Sequence, residues 1–114
     1  MLPKLNRIVK KKDFDGIFKN SKSLKNDLLV LRAGKNSLDV ARFGFIVSLK
    51  VSKKATVRNK IRRRLSAVAQ AEIKNIKNGT DLILIALPRA ANKDFSEIKA
   101  ALKELLNKAK CLIQ

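Results

Sequence analysis

Lys50-Val51-Ser52-Lys53-Lys54-Ala55-Thr56-Val57-Arg58-Asn59-Lys60-Ile61-Arg62-Arg63-Arg64-Leu65 holds eight basic side chains and no acid. What this stretch becomes decides how the rest of the chain packs. From its middle onward, Val57, Ile61, Leu65, Val68, Ile73 and Ile76 recur at helical spacing. That spacing predicts a helix from about Val57 to Lys77, with Thr56 as its N-cap and Asn78-Gly79 as its stop. A strand pattern lies on either side. Val40 to Leu49 alternates, with Phe43, Phe45, Val47 and Leu49 on one face and Arg42, Gly44, Ile46 and Ser48 on the other. Leu82-Ile83-Leu84-Ile85-Ala86-Leu87 is a continuous apolar run, as in an interior strand, and Pro88 ends it. The basic stretch therefore opens the helix of a strand–helix–strand unit, whose default crossover is right-handed.

The outer segments complete the pattern. Residues 1–12 are basic and irregular. Asp13 to Asn20 reads as a short helix with Phe14, Ile17 and Phe18 on one face. Asn20 to Ser23 reads as a turn, Leu24 to Arg32 as a strand, and Gly34 to Ser37 as a hairpin turn into the next strand. Asp94 is placed to cap a last helix running to about Lys110, with Glu97 completing a capping-box pattern. Phe95, Ile98, Leu102, Leu105 and Leu106 form its apolar face. The order is helix, strand, strand, helix, strand, helix, which predicts an α+β sandwich of helices on a small sheet. At 114 residues, a single domain with one core over residues 1–114 is expected.

Composition narrows the chemistry. The net charge of +18 is self-repelling and calls for a polyanionic partner. Nucleic acid fits better than a membrane surface, because the apolar residues are spread over several segments instead of lining one amphipathic helix. Histidine is absent and Cys111 is the only cysteine, which removes zinc sites and His-based catalysis. Cys111 is expected to be a packing residue. The nine acids are scattered, no acidic set for two metals is legible, and no Walker-type glycine loop is present. No apolar run approaches the roughly 20 residues that span a bilayer, and the start is not an apolar signal segment, so a cytoplasmic protein is expected.

The chain has 19 Lys and 8 Arg, and four of those Arg fall at 58, 62, 63 and 64. Lysine is a solvated point charge, whereas arginine is a planar fork that can grip two phosphate oxygens. The positive end of a helix is a poor place for cations. The like-charged i, i+4 pairs Arg58/Arg62 and Lys60/Arg64 each cost about 0.2–0.5 kcal/mol. A phosphate backbone lying there would relieve both costs. Asn59, Lys60 and Arg63 lie opposite the apolar stripe, Arg58 and Arg62 on one flank, and Arg64 on the other. Cations on both flanks suit a folded RNA. No helix-turn-helix pair and no heptad repeat point to DNA. The Asn59 amide either bonds a nucleotide or steadies the first turn. Phe14 and Phe18 either fill core or offer faces for bases to stack on.

Val57-Arg58-Asn59-Lys60-Ile61-Arg62-Arg63-Arg64-Leu65 resembles the Arg-Asn-Arg signature of the bacterial ribonuclease P protein subunit. Arg42-Phe43-Gly44-Phe45-Ile46-Val47-Ser48 resembles that family's Gly-Phe/Leu-x-Val-Ser strand. Asn6-Arg7-Ile8 through Asp13-Phe14-Asp15-Gly16-Ile17-Phe18 resembles its first helix, and Asp81 to Ala86 with the last helix also match. The resemblance implies a left-handed crossover and a ribosomal protein S5 domain 2-like fold. It implies that an RNA subunit, holding Mg²⁺, cleaves precursor tRNA, while the protein binds that RNA and the 5′ leader. The residues implied for the RNA subunit are Lys50, Lys53, Lys54, Arg58, Asn59, Lys60, Arg62, Arg63 and Arg64. Those implied for the leader cleft are Phe14, Phe18 and Arg32. No membrane and no obligate protein partner are implied. Lys60 departs from the signature's second Arg, Leu49 and Ser52 from a frequent Lys and Gly, Arg32 from an aromatic, and Leu87 from an Arg. Two other readings are a general RNA-binding or ribosome-associated module and a nuclease built from the scattered acids.

Overall fold

Leu82, Ile83 and Leu84 are all fully buried, so this strand is covered on both faces. In the computed structural model, which describes residues 2–113, the strand is one of the two inner members of a four-stranded sheet ordered β1-β2-β4-β3. The strands are β1 (Lys22–Lys25), β2 (Leu29–Lys35), β3 (Arg42–Ile46) and β4 (Thr80–Ala86). The helices are α1 (Lys11–Lys19), α2 (Ala55–Glu72) and α3 (Phe95–Lys108). β4 runs antiparallel to β2, with Leu84 opposite Leu31, and parallel to β3, with Leu82 opposite Phe43. The parallel β3–β4 pair joined by α2 is the expected strand–helix–strand unit.

The pleat sorts β4 into two cores. Leu82 and Leu84 join Phe43, Leu29 and Leu31 under Ile61, Leu65 and Val68 of α2 and Ile98, Leu102, Leu105 and Leu106 of α3. Ile83 faces the other way, where it meets Ile8 and Ile17 beneath α1. Asp94 caps α3, its Oδ1 accepting from the Glu97 amide at 2.9 Å. Cys111 is buried, and burial pushes its thiol pKa up, as suits a packing residue. Among the described residues, no helix is long and apolar enough to cross a membrane.

Several sequence expectations are corrected. The single strand over Leu24–Arg32 is a hairpin, β1 and β2, turned at Asn26. The Asn26 Oδ1 accepts from the Leu28 and Leu29 amides at 3.0 Å each, so one side chain replaces the missing ladder bonds. The Gly34–Ser37 turn does not make a hairpin, because β4 lies between β2 and β3. The strand apolar on both faces takes the position buried on both faces. The segment from Leu2 to Ile8 packs against the sheet: Leu2 and Ile8 are buried, and the Ile8 amide donates to the Phe43 carbonyl at 2.8 Å. Phe95 is 40% exposed instead of buried, and Leu49, beyond the end of β3, is 66% exposed. α2 begins at Ala55, with Lys54 as its N-cap residue and no side-chain cap.

Arg42 extends from β3 onto the α1 side of the sheet and is not free for a ligand. Its Nε and Nη2 donate to the two carboxylate oxygens of buried Asp81 at 2.8 and 2.7 Å. Its Nη1 reaches Asp13 of α1 at 3.4 Å. Asp81 also accepts from the Asn36 amide at 2.6 Å, which ties in the loop between β2 and β3. The hydrogen bond to Asp81 holds the Arg42 pKa above its ordinary value, against the opposing effect of burial. A raised pKa means this stabilisation is complete below the ordinary arginine value and fades only in stronger alkali. Asp81→Ala strands the guanidinium and removes the Asn36 acceptor. It should cost about 3–5 kcal/mol in urea unfolding; a loss under about 1 kcal/mol would show that the pair contributes little.

Candidate nucleic-acid interface

The segment from Ser48 to Lys54 carries the chain from the end of β3 to the start of α2, and its polar groups position the first arginine of the helix. The Lys54 amide donates to Ser52 Oγ at 3.2 Å, and Arg58 Nη1 donates to the Ser52 carbonyl at 3.0 Å. Arg62 donates to Asn59 Oδ1 at 2.8 Å and to the Val47 carbonyl at 3.5 Å. Asn59 therefore steadies an arginine one turn on. Arg64, half-buried, donates to the Lys93 carbonyl at 2.6 Å and so braces α2 against the turn before α3. Lys50, Lys53, Lys54, Lys60 and Arg63 are exposed. None of these cations forms an ion pair among the described residues. No acid occurs between Asp39 and Glu72, so no acidic side chain within this stretch can neutralise them. Arg58 and Arg62 are held to neutral oxygens, which orient a guanidinium while leaving its charge uncompensated.

The second feature lies on the opposite face of the sheet. α1 sits there, anchored by buried Ile17, with Phe14 and Phe18 half-buried beside it. Gly44 of β3 is what lets Phe14 approach: a Cβ on Gly44 would fall 2.6 Å from Phe14 Cε1 and Cζ. Arg32 of β2 lies with its guanidinium carbon 5.0 Å from the centroid of the Phe18 ring. It is held there by Ser21 Oγ, to which its Nε donates at 3.0 Å, and it also donates to the Phe18 carbonyl. Val30, Ile85 and Ile46, adjacent in register on this face, make a half-buried apolar row next to the aromatics. The core expectation for the phenylalanines holds in part: each ring packs on the small core, and each keeps some exposure.

The structure thus gathers the predicted residues into two groups, Lys50 to Arg64 around the start of α2 and Phe14, Phe18 and Arg32 around α1. Sequence reasoning missed that Gly44 is the seat of the Phe14 ring and that Val30, Ile46 and Ile85 floor the cleft. The usable signal was a glycine in the middle of a strand, which marks close approach of another group. Asp13 and Asp81 do meet in space, but at the guanidinium of Arg42. Among the described residues, no cluster of three or more potential metal ligands forms.

A small basic α+β protein with an acid-free cationic helix start on one side and a half-open aromatic cleft on the other belongs to the class of nucleic-acid-binding proteins. The sequence profile of the Ribonuclease P family matches residues 2–110. A "Ribonuclease P protein component" of Clostridium botulinum (strain 657 / Type Ba4) is 40% identical over 107 residues, covering 93% of this chain and 96% of that one. One from Synechocystis is 36% identical over 109 residues, covering 95% and 88%. The RNase P protein of Staphylococcus aureus superposes with a TM-score of 0.84 at 31% identity, covering 95% of this chain and 98% of that one. That of Thermotoga maritima gives 0.80 at 32%, covering 90% and 96%. The chain belongs to the ribonuclease P protein family.

The seat of Phe14 can be tested with two glycines. Gly44→Ala forces the ring out and should destabilise the protein by about 1–3 kcal/mol, while shifting the Phe14 ring resonances. Gly16→Ala, in α1 with nothing within 4 Å, should be neutral or stabilising by up to about 1 kcal/mol. Equal effects at the two sites would contradict the packing described.

Proposed function

We propose that this chain is the protein subunit of a ribonuclease P ribonucleoprotein, acting in the cytoplasm. In this reading it binds the catalytic RNA with the start of α2 and the 5′ leader of precursor tRNA with the α1 cleft. It thereby assists endonucleolytic removal of the leader to form the mature tRNA 5′ end. The observation that carries the reading is the uncompensated charge at the start of α2. Eight cations lie within sixteen residues without an acid, and those that do find partners find only neutral oxygens.

Each group has a stated task. Lys50, Lys53, Lys54, Lys60 and Arg63 supply mobile charge to the RNA backbone. Arg58 and Arg62 supply forks already oriented by Ser52, Val47 and Asn59, so less side-chain freedom is lost on contact. Arg64 braces the helix that presents them. Phe14 and Phe18 offer ring faces to unpaired leader bases, and the Arg32 guanidinium extends the Phe18 platform. Mg²⁺ belongs to the RNA subunit in this reading. The protein contributes positive charge that stands in for part of the cation atmosphere the folded RNA and its substrate need.

The test is cleavage of precursor tRNA by the RNA subunit at low Mg²⁺, with and without this protein. Stimulation that shrinks as Mg²⁺ is raised is expected. Absence of stimulation, or cleavage by RNA-free protein, would overturn the proposal.

A further inference from the structure

A second basic surface lies away from the start of α2. A groove of about 660 Å³ opens at the end of the sheet where β2 finishes and β4 begins. Lys22, Lys35, Lys77 and Lys110 line it, and no acid does. All four are exposed, and none forms an ion pair among the described residues. The contrast with α3 is informative. There Lys93 pairs with Glu97, Lys99 and Lys103 with Glu72, and Lys108 with Glu104. Among the described residues, six of the nine acids sit against cations elsewhere, and none lines this groove.

Lys110 adds an independent observation. It follows the end of α3 in the left-handed region, at φ +57. Its amide donates to the Asn107 carbonyl and that of Cys111 to the Leu106 carbonyl, both at 3.1 Å. This is the Schellman arrangement, in which the left-handed position is ordinarily glycine. A lysine there is unfavourable for the backbone, so the geometry of the turn does not explain it. It does put a cation at the mouth of the groove.

The groove is contiguous with the aromatic cleft. Ser21 lines it, and Ser21 Oγ is also the acceptor that holds Arg32 over Phe18. It lies far from the start of α2, since α2 leaves from the opposite end of the sheet, after β3. A strand crossing the cleft along α1 leaves it at Ser21 and meets Lys22 next. The lining cations are all lysine, point charges that follow a flexible backbone without demanding a fixed geometry.

We infer that this groove holds the sugar-phosphate backbone of the upstream part of the 5′ leader, beyond the nucleotides in the cleft, without regard to sequence. The inference rests on the reading that the cleft takes the leader.

The assembled ribonucleoprotein is tested with mature tRNA and with precursors bearing leaders of about four and about twelve nucleotides, which bracket the span of a single-stranded site on one small fold. The protein variant is Lys77→Gln/Lys110→Gly, in which glycine keeps the helix cap. It should melt no lower than the parent. The parent should bind the long leader more tightly than the short one. The variant should lose that advantage, on the order of tenfold at low salt, with the salt slope falling by about 0.7 per lost contact. Its affinity for the short-leader precursor and for the RNA subunit should stay unchanged. An intact long-leader advantage in the variant overturns the inference. So does an equal loss of RNA-subunit affinity, which would assign the groove to the catalytic RNA. If the parent separates short-leader precursor from mature tRNA but gains nothing from a long leader, the groove fails and the cleft stands. If it does not separate them at all, both fail.

Discussion

The Arg42–Asp81 pair fixes most of what matters here. Two charges taken from water are tolerable only when their geometry is good and their remaining hydrogen-bonding groups are satisfied. Both conditions hold, through a two-point fork and the added contacts of Asn36 and Asp13. The pair joins β3 to β4, and its reach to Asp13 sets α1 on the sheet. Gly44 is two residues from Arg42 on the same face, and Phe14 is the residue after Asp13. Once the salt bridge sets Asp13, the Phe14 ring meets the one position in β3 that has no side chain. The cleft is thus a consequence of register.

A second constraint is the distribution of charge. With +18 on 114 residues, the folded chain repels itself. Four of its nine acids serve structural partners: Asp13 and Asp81 on Arg42, Glu72 on Lys99 and Lys103, Asp94 on the α3 cap. Among the described residues, cations without an ion pair gather at the start of α2 and at the far end of the sheet, and others lie on and around α1. Binding a polyanion removes the repulsion, so partner and fold are thermodynamically linked. The cations whose positions matter most, Arg58 and Arg62, are held by oxygens that carry no charge, which keeps them attractive to phosphate.

The long periodic elements were legible in the sequence. α2, β3 and β4 were read from apolar spacing, and Asp94 from the capping rule, because each is a local pattern repeated over several turns or pairs. The hairpin at Asn26 was missed because one side chain makes that turn, without glycine or proline to mark it. β4 was read correctly as an interior strand, but its insertion between β2 and β3 was missed because strand order depends on pairing between distant segments. Leu2 and Ile8 are buried singly, with no period to detect. At the site, the helical wheel gave the direction of each cation but not what waits there. That Arg64 ends at the Lys93 carbonyl and Arg62 on Asn59 depends on loops whose paths the sequence does not encode locally.

The central claim is that one small protein holds two RNAs by separate surfaces on opposite faces of its sheet. The most direct test is a cycle of Phe14→Ala, Arg63→Ala and the double variant. Two quantities are read for each: affinity for the RNA subunit, and preference of the assembled complex for leader-bearing precursor over mature tRNA. Arg63→Ala should change only the first, Phe14→Ala only the second, by about 1–3 kcal/mol if a base stacks on the ring. The double variant should show the sum of both effects within about 0.5 kcal/mol. Coupling well beyond that, or loss of leader preference from Arg63→Ala alone, would mean that the two surfaces are one.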